Sequence, residues 1–203
     1  MHYSVRLLTL EPGQVPAKVD AIGTALQKLG LQGRLQACLY SEVGTLNRVL
    51  LLHAHEERDI LAADQEKVIA ARDAFGVADV LQASTFDLFT GFAGHEPLPA
   101  GKHGRIYEVR TYHILASGVE PTQAAWAKVL RERLEISKLL AVMYSTTGKP
   151  RFMHFWPYAS FEERLLLRAK AVERGVWPPP GGISQITSMQ SELFFPAAFS
   201  PAA

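Results

Sequence analysis

The chain has a single cysteine, Cys38, in 203 residues. An internal disulfide is excluded, and so is a multi-cysteine zinc site. Cys38 stands in the apolar stretch Leu35-Gln-Ala-Cys-Leu-Tyr40, where a buried, inert thiol is expected. No apolar run reaches the ~18 residues a membrane-spanning helix needs. The chain opens directly on a strand pattern, without a signal-peptide or transit-peptide composition. The expectation is a cytoplasmic protein with no membrane span. Charge of one sign is also lacking. The net charge is +1 with no Lys/Arg stripe, which argues against nucleic acid as a partner. Neither a P-loop, a G-x-G-x-x-G after a strand, a G-x-S-x-G elbow nor an H-E-x-x-H motif occurs. Nucleotide, dinucleotide and esterase functions therefore have no support.

What is present is a module that occurs twice. Tyr3-Ser-Val-Arg6 returns as Tyr107-Glu-Val-Arg110, Glu56-Glu57-Arg58 as Glu162-Glu163-Arg164, and Asp87-Leu88-Phe89 as Glu192-Leu193-Phe194. The order is kept and the offset is nearly constant, the signature of a tandem duplication. Between the copies, 91–104 is rich in Gly and Pro and has no periodicity, so it is expected to be a linker. The expected division is a first repeat over 1–90 and a second over 105–203, the latter with a short C-terminal tail.

Each half has the same coarse order. In the second, 105–114 alternates as a strand, with Glu108, Arg110 and Tyr112 on one face. A helix is expected over 121–134, strands over 139–145 and 151–158, and a final strand over 186–195. Ser160-Phe-Glu-Glu163 is a capping box opening the second helix, and the Pro/Gly run after Trp177 ends regular structure. The first half is expected to carry strands at 3–10, 35–41, 47–54 and 80–89 and helices at 16–30 and 56–75. This β-α-β-β-α-β order is the ferredoxin-like split βαβ unit, whose two helices cover one face of a four-stranded antiparallel sheet. The predicted fold class is α+β: two such repeats packed sheet to sheet, open face to open face, as an intrachain dimeric α/β barrel.

Tyr107-Glu-Val-Arg-Thr-Tyr112, Phe152-Met-His-Phe-Trp-Pro-Tyr158, Phe161-Glu-Glu-Arg164 and Trp177 together resemble the NIPSNAP family, in order, over about 105–195. The first half matches more loosely: Ser4, Leu8, Leu51 and His53 stand where the second has Glu108, Tyr112, His154 and Trp156. The resemblance implies a dimeric α/β barrel, a superfamily that includes cofactor-independent monooxygenases and haem proteins, and a family activity that is undefined.

Glu108, Arg110 and Tyr112 on one strand, with His154 and Trp156 on another, are the candidate ligand-binding residues, and Arg6 repeats Arg110 in the first half. If their face lines the barrel interior, they suit a small apolar or acidic ligand held between the repeats, with Arg forking a carboxylate and rings providing a floor. The competing expectation is a structural Glu108–Arg110 pair with aromatic packing. The expected function is a small-molecule-binding or interaction protein. The alternative is a monooxygenase-like or other small-molecule enzyme, with His154 as base. No other catalytic residue is assigned. No cofactor is expected, nor a metal, since His53 and His55 share a strand face without a third ligand. A homo-oligomer is open. Glu56-Glu57 is expected to open a helix, Arg164 to pair locally or across the repeats, and His95 and His103 to be solvated.

Overall fold

The computed structural model describes every residue from Met1 to Ala203. The first half runs β1 (His2–Leu10), α1 (Val15–Leu29), β2 (Arg34–Val43), β3 (Arg48–His55), α2 (Arg58–Ala70) and β4 (Leu81–Gly91). The second runs β5 (Ile106–Ile114), α3 (Val119–Ile136), β6 (Ala141–Ser145), β7 (Arg151–Tyr158), α4 (Phe161–Glu173) and β8 (Ile186–Pro196), with a short 3₁₀ turn, Ile183–Gln185, before β8. Both halves are therefore βαββαβ, as the repeat implies.

All strand pairs are antiparallel, in the closed order β1-β3-β2-β8-β5-β7-β6-β4. Within each half the ferredoxin-like order holds. The two sheets join at their edges, β2 to β8 and β4 to β6, and so close one eight-stranded barrel. Closure removes the sheet edges that two separate sheets would expose. No helix is long and apolar enough to cross a membrane.

Three apolar clusters follow. Tyr3, Val5, Leu39, Leu50, Leu52, Phe89, Tyr107, Val109, Phe155 and Phe194 fill the barrel and come from both halves. A second cluster lies between the first sheet and α1, and includes Leu8, Ile22, Leu51, Phe75 and Val77. The third lies between the second sheet and α3, and includes Tyr112, Trp126, Phe152, Trp156 and Trp177. Cys38 is buried in the first-half cluster, and burial pushes its thiol up to about 12.

Two expectations are corrected. Helix α2 ends at Ala70 rather than running on to 75, because Ala71 turns extended and Gly76 adopts φ +67°. Asp73 Oδ1 accepts the Val77 N–H at 3.1 Å, and the resulting turn places Phe75 and Val77 in the core. The segment between β4 and β5 does lack helix and strand, yet His95 is buried, with Nε2 3.1 Å from the Leu139 carbonyl. Solvation fails there because Phe92 anchors the segment against the second-half cluster.

Candidate functional site

Along β5, odd residues point into the barrel and even residues point out toward α3 and α4. Tyr107 and Val109 belong to the barrel cluster, Tyr112 and Trp156 to the helix-covered one. The expectation that Glu108, Arg110, Tyr112, His154 and Trp156 line the barrel interior, between the repeats, is thus corrected. Both faces of β5 and β7 are buried, so alternation identifies the faces without telling which one the helices cover.

Glu108 is fully buried. Its Oε1 accepts from Arg164 Nη2 at 2.6 Å and Ser191 Oγ at 2.5 Å, with Arg110 Nε at 3.3 Å and Arg168 Nη1 at 3.9 Å. Burial alone would raise its carboxyl, but the Arg164 hydrogen bond and the Arg110 charge hold it below the ordinary range. Arg133 is buried nearby, its guanidinium 4.1 Å from the Trp156 ring centroid. Glu108 is the sole carboxylate in ion-pair reach of Arg110, Arg164 or Arg168, and Arg133 has none. Three guanidinium groups therefore share one negative charge, and a fourth, that of Arg133, lies against the neighbouring Trp156 and Trp177 rings. Several of their N–H groups, including Arg110 Nε and Arg133 Nη1, lack a hydrogen-bond acceptor.

Beside this cluster lies a cavity of about 290 Å³. Arg110 and Arg168 form its charged end, and Tyr112, Trp126, Phe152 and Trp177 its aromatic walls. The chain after α4 closes the remaining side with Pro178, Pro179 and Ile183. Of the expected site residues, Arg110 and Tyr112 line this cavity, while Glu108 and Trp156 stand behind its wall.

His154 is also behind the wall, caged by Tyr112, Trp126, Phe152 and Trp177. Its Nδ1 accepts the Trp156 indole N–H at 2.5 Å, so in the neutral ring Nε2 carries the proton. Burial, aided by Arg110, drives its pKa well below the ordinary value. A sealed imidazole with its acceptor nitrogen engaged does not fit the role of base.

Arg6 does not join Arg110. Its Nη2 donates to Gln65 Oε1 at 2.6 Å and its guanidinium lies 4.5 Å from the Phe86 ring centroid. The cavity there is about 20 Å³, room for one water. His53 and His55 do share a face, with His55 Nε2 3.2 Å from Asp64 Oδ2.

A third cavity, about 150 Å³, opens at one end of the barrel between the halves. Its charges are mutually paired across the repeats, Arg48 with Glu192 and Arg151 with Asp87, so it forms a seam between the halves. The sequence reading missed Arg133, Arg168, Thr122 and Trp126. A usable signal was present in α4, where Arg164 and Arg168 stand one turn apart on the flank of buried Ala171.

A family model for NIPSNAP matches residues 107–201. A NipSnap homolog of Dictyostelium discoideum is 25% identical over 161 residues, which cover 77% of this chain and 72% of that one. Among solved structures, a proposed monooxygenase of Fusobacterium nucleatum superposes with a TM-score of 0.68 at 10% identity, covering 96% of this chain and 91% of the other. An anthrone oxidase-like protein superposes with a TM-score of 0.67 at 9% identity, covering 100% and 94%. At such identity these two structures share the fold alone. The motifs of the second repeat and the matches in sequence agree: the second repeat is similar to the NIPSNAP family over residues 107–201.

Proposed function

We propose that the second repeat binds a small organic anion with a flat apolar body in the cavity between β5, β7, α3 and α4. The observation that carries this reading is the surplus of guanidinium around Glu108, with Arg110 and Arg168 facing the cavity. Buried cations without a matching anion are costly, and an acidic ligand supplies the missing charge. The aromatic walls supply apolar contact for its body. Arg110 and Tyr112 are the ligand-contacting members of the expected set, with Glu108, His154 and Trp156 supporting them. A cytoplasmic location agrees with the lone buried Cys38.

Titrating naphthoate into the protein and following Trp fluorescence tests the reading. Saturable quenching is expected, with naphthalene methanol, the uncharged analogue, at least about tenfold weaker, since a charge-assisted contact is worth roughly 1.5–3 kcal/mol. Arg110→Met should abolish the difference while the protein stays folded, because Arg164 and Ser191 still satisfy Glu108. Equal binding of acid and alcohol by the wild type would sink the proposal.

A further inference from the structure

The cavity has a further polar group, set apart from its arginines. Thr122 is 2% exposed and lines the cavity, and its Oγ1 has no hydrogen-bond partner. A helical threonine ordinarily satisfies its hydroxyl on the carbonyl one turn back. Here that carbonyl, of Gly118, receives only the Thr122 backbone N–H, at 3.0 Å. A buried hydroxyl left without a partner is rare in a native protein and calls for an explanation.

Strand register fixes where Thr122 sits relative to the charge. Arg110 is opposite His154 and Ser191, Tyr112 opposite Phe152 and Met189, and Ile114 opposite Ile186. The lining runs from Arg110 to Ile186, four residues of strand, or about 13 Å. Helix α3 lies along the same direction. The Trp126 ring packs 5.0 Å from His154, in the Arg110 row. Gly118, two turns earlier, packs against Ile114, since a Cβ on it would meet the Ile114 Cβ at 3.3 Å. Thr122 lies midway, one turn (about 5.4 Å) beyond the row of the arginine. Aromatic side chains occupy the walls between the two ends.

Resting on the anion-binding reading above, we propose that the ligand is an aryl acid bearing a second oxygen, hydroxyl or carbonyl, on the ring edge remote from its acid group, and that Thr122 Oγ1 is the group that recognises it. Thr122 is then a specificity residue and Arg110 with Arg168 the acid clamp. The volume suits two fused rings, since a cavity of about 150 Å³ holds one benzene.

The test compares naphthoate with hydroxynaphthoate carrying its hydroxyl on the ring remote from the carboxylate, each titrated calorimetrically into the intact protein. Wild type is expected to prefer the hydroxy acid by about tenfold, the worth of one buried hydrogen bond. Thr122→Val, nearly the same in shape, should erase that preference and leave naphthoate binding within about twofold, whereas Thr122→Ser should keep it. Near-ultraviolet circular dichroism of both variants checks that the aromatic packing is intact. A preference that survives in Thr122→Val, or is absent from wild type, overturns the assignment of Thr122 while the anion site stands on its naphthoate binding. Failure of both acids to bind overturns the two proposals together.

Discussion

Glu108 decides how much of the second-half cluster is structure and how much is site. Three arginines approach its Oε1, yet its Oε2 is buried without a partner. One carboxylate cannot neutralise them all, so Glu108 orients the guanidinium groups and leaves charge facing the cavity. The equivalent position in the first half is Ser4, and there Arg6 is held by Gln65, Ser84 and aromatic rings. Burial lowers Arg6 to about 10, with no carboxylate to counter it. The same contrast sets the response to acid. His53 is buried and held down to about 4, whereas an unfolded histidine titrates near 6.5. Below 6.5 the unfolded chain takes up a proton that the folded one refuses, so stability falls as pH falls, by about 1.4 kcal/mol per unit for this group down to about pH 4. Buried His154 acts in the same sense. Urea midpoints measured from pH 7 to 5 should therefore decline, and His53→Phe should decline less steeply. A parallel slope in the variant would mean that His53 is accessible to protons in the fold.

At the scale of elements, the order and kind of the strands and helices were legible in the sequence because alternation and caps mark them locally. Which face of β5 looks into the barrel was not. Val109 and Tyr112 are equally buried, so the answer depends on the helices that Trp126 and Ala171 bring over one side. The role of Arg168 was only half legible: its spacing from Arg164 could be read, but a charged residue on an amphipathic helix looks solvated until the partner strand places Glu108 beneath it. Caps show the opposite case. Ser160 Oγ accepts the Glu163 N–H at 3.2 Å, and Glu163 accepts the N–H of Ala159, one residue before the cap, so the cap read from sequence forms with its return bond shifted by one residue. Helix α2 begins after Glu57 with no side-chain cap, and the two repeats differ there despite the shared Glu-Glu-Arg. Ser160→Ala should destabilise the protein by about 1 kcal/mol, seen as a lower urea midpoint at unchanged slope. Because α4 carries Arg164 and Arg168, the substitution should also weaken naphthoate binding. No loss of stability would show that packing alone sets the start of α4.

For the whole molecule, the question is whether the halves are separable. Each has its own helix-covered cluster, but the barrel cluster draws on both. Splitting the chain would expose Tyr3, Leu50 and Phe89 on one side and Tyr107, Phe155 and Phe194 on the other. It would also free the β2–β8 and β4–β6 edges. The ion pairs at the barrel mouth cross the pseudo-two-fold. Arg48 of the first half meets Glu192 of the second, and Arg151 of the second meets Asp87 of the first. Duplicated residues thus hold the repeats to each other rather than each to itself. We propose that 1–90 and 105–203 are structural repeats but a single folding unit, joined by a segment that itself packs through Phe92, His95 and Leu98. Unfolding of the full chain should be one cooperative transition, coincident by far-ultraviolet circular dichroism and Trp fluorescence, although every tryptophan lies in the second half. Fragments cut between Glu96 and Pro97 should aggregate or self-associate when alone and assemble one-to-one when refolded together. Two soluble monomeric fragments that ignore each other, or a fluorescence transition displaced from the dichroism transition, would show that the barrel core contributes less than the helix-covered clusters and that the repeats are independent domains.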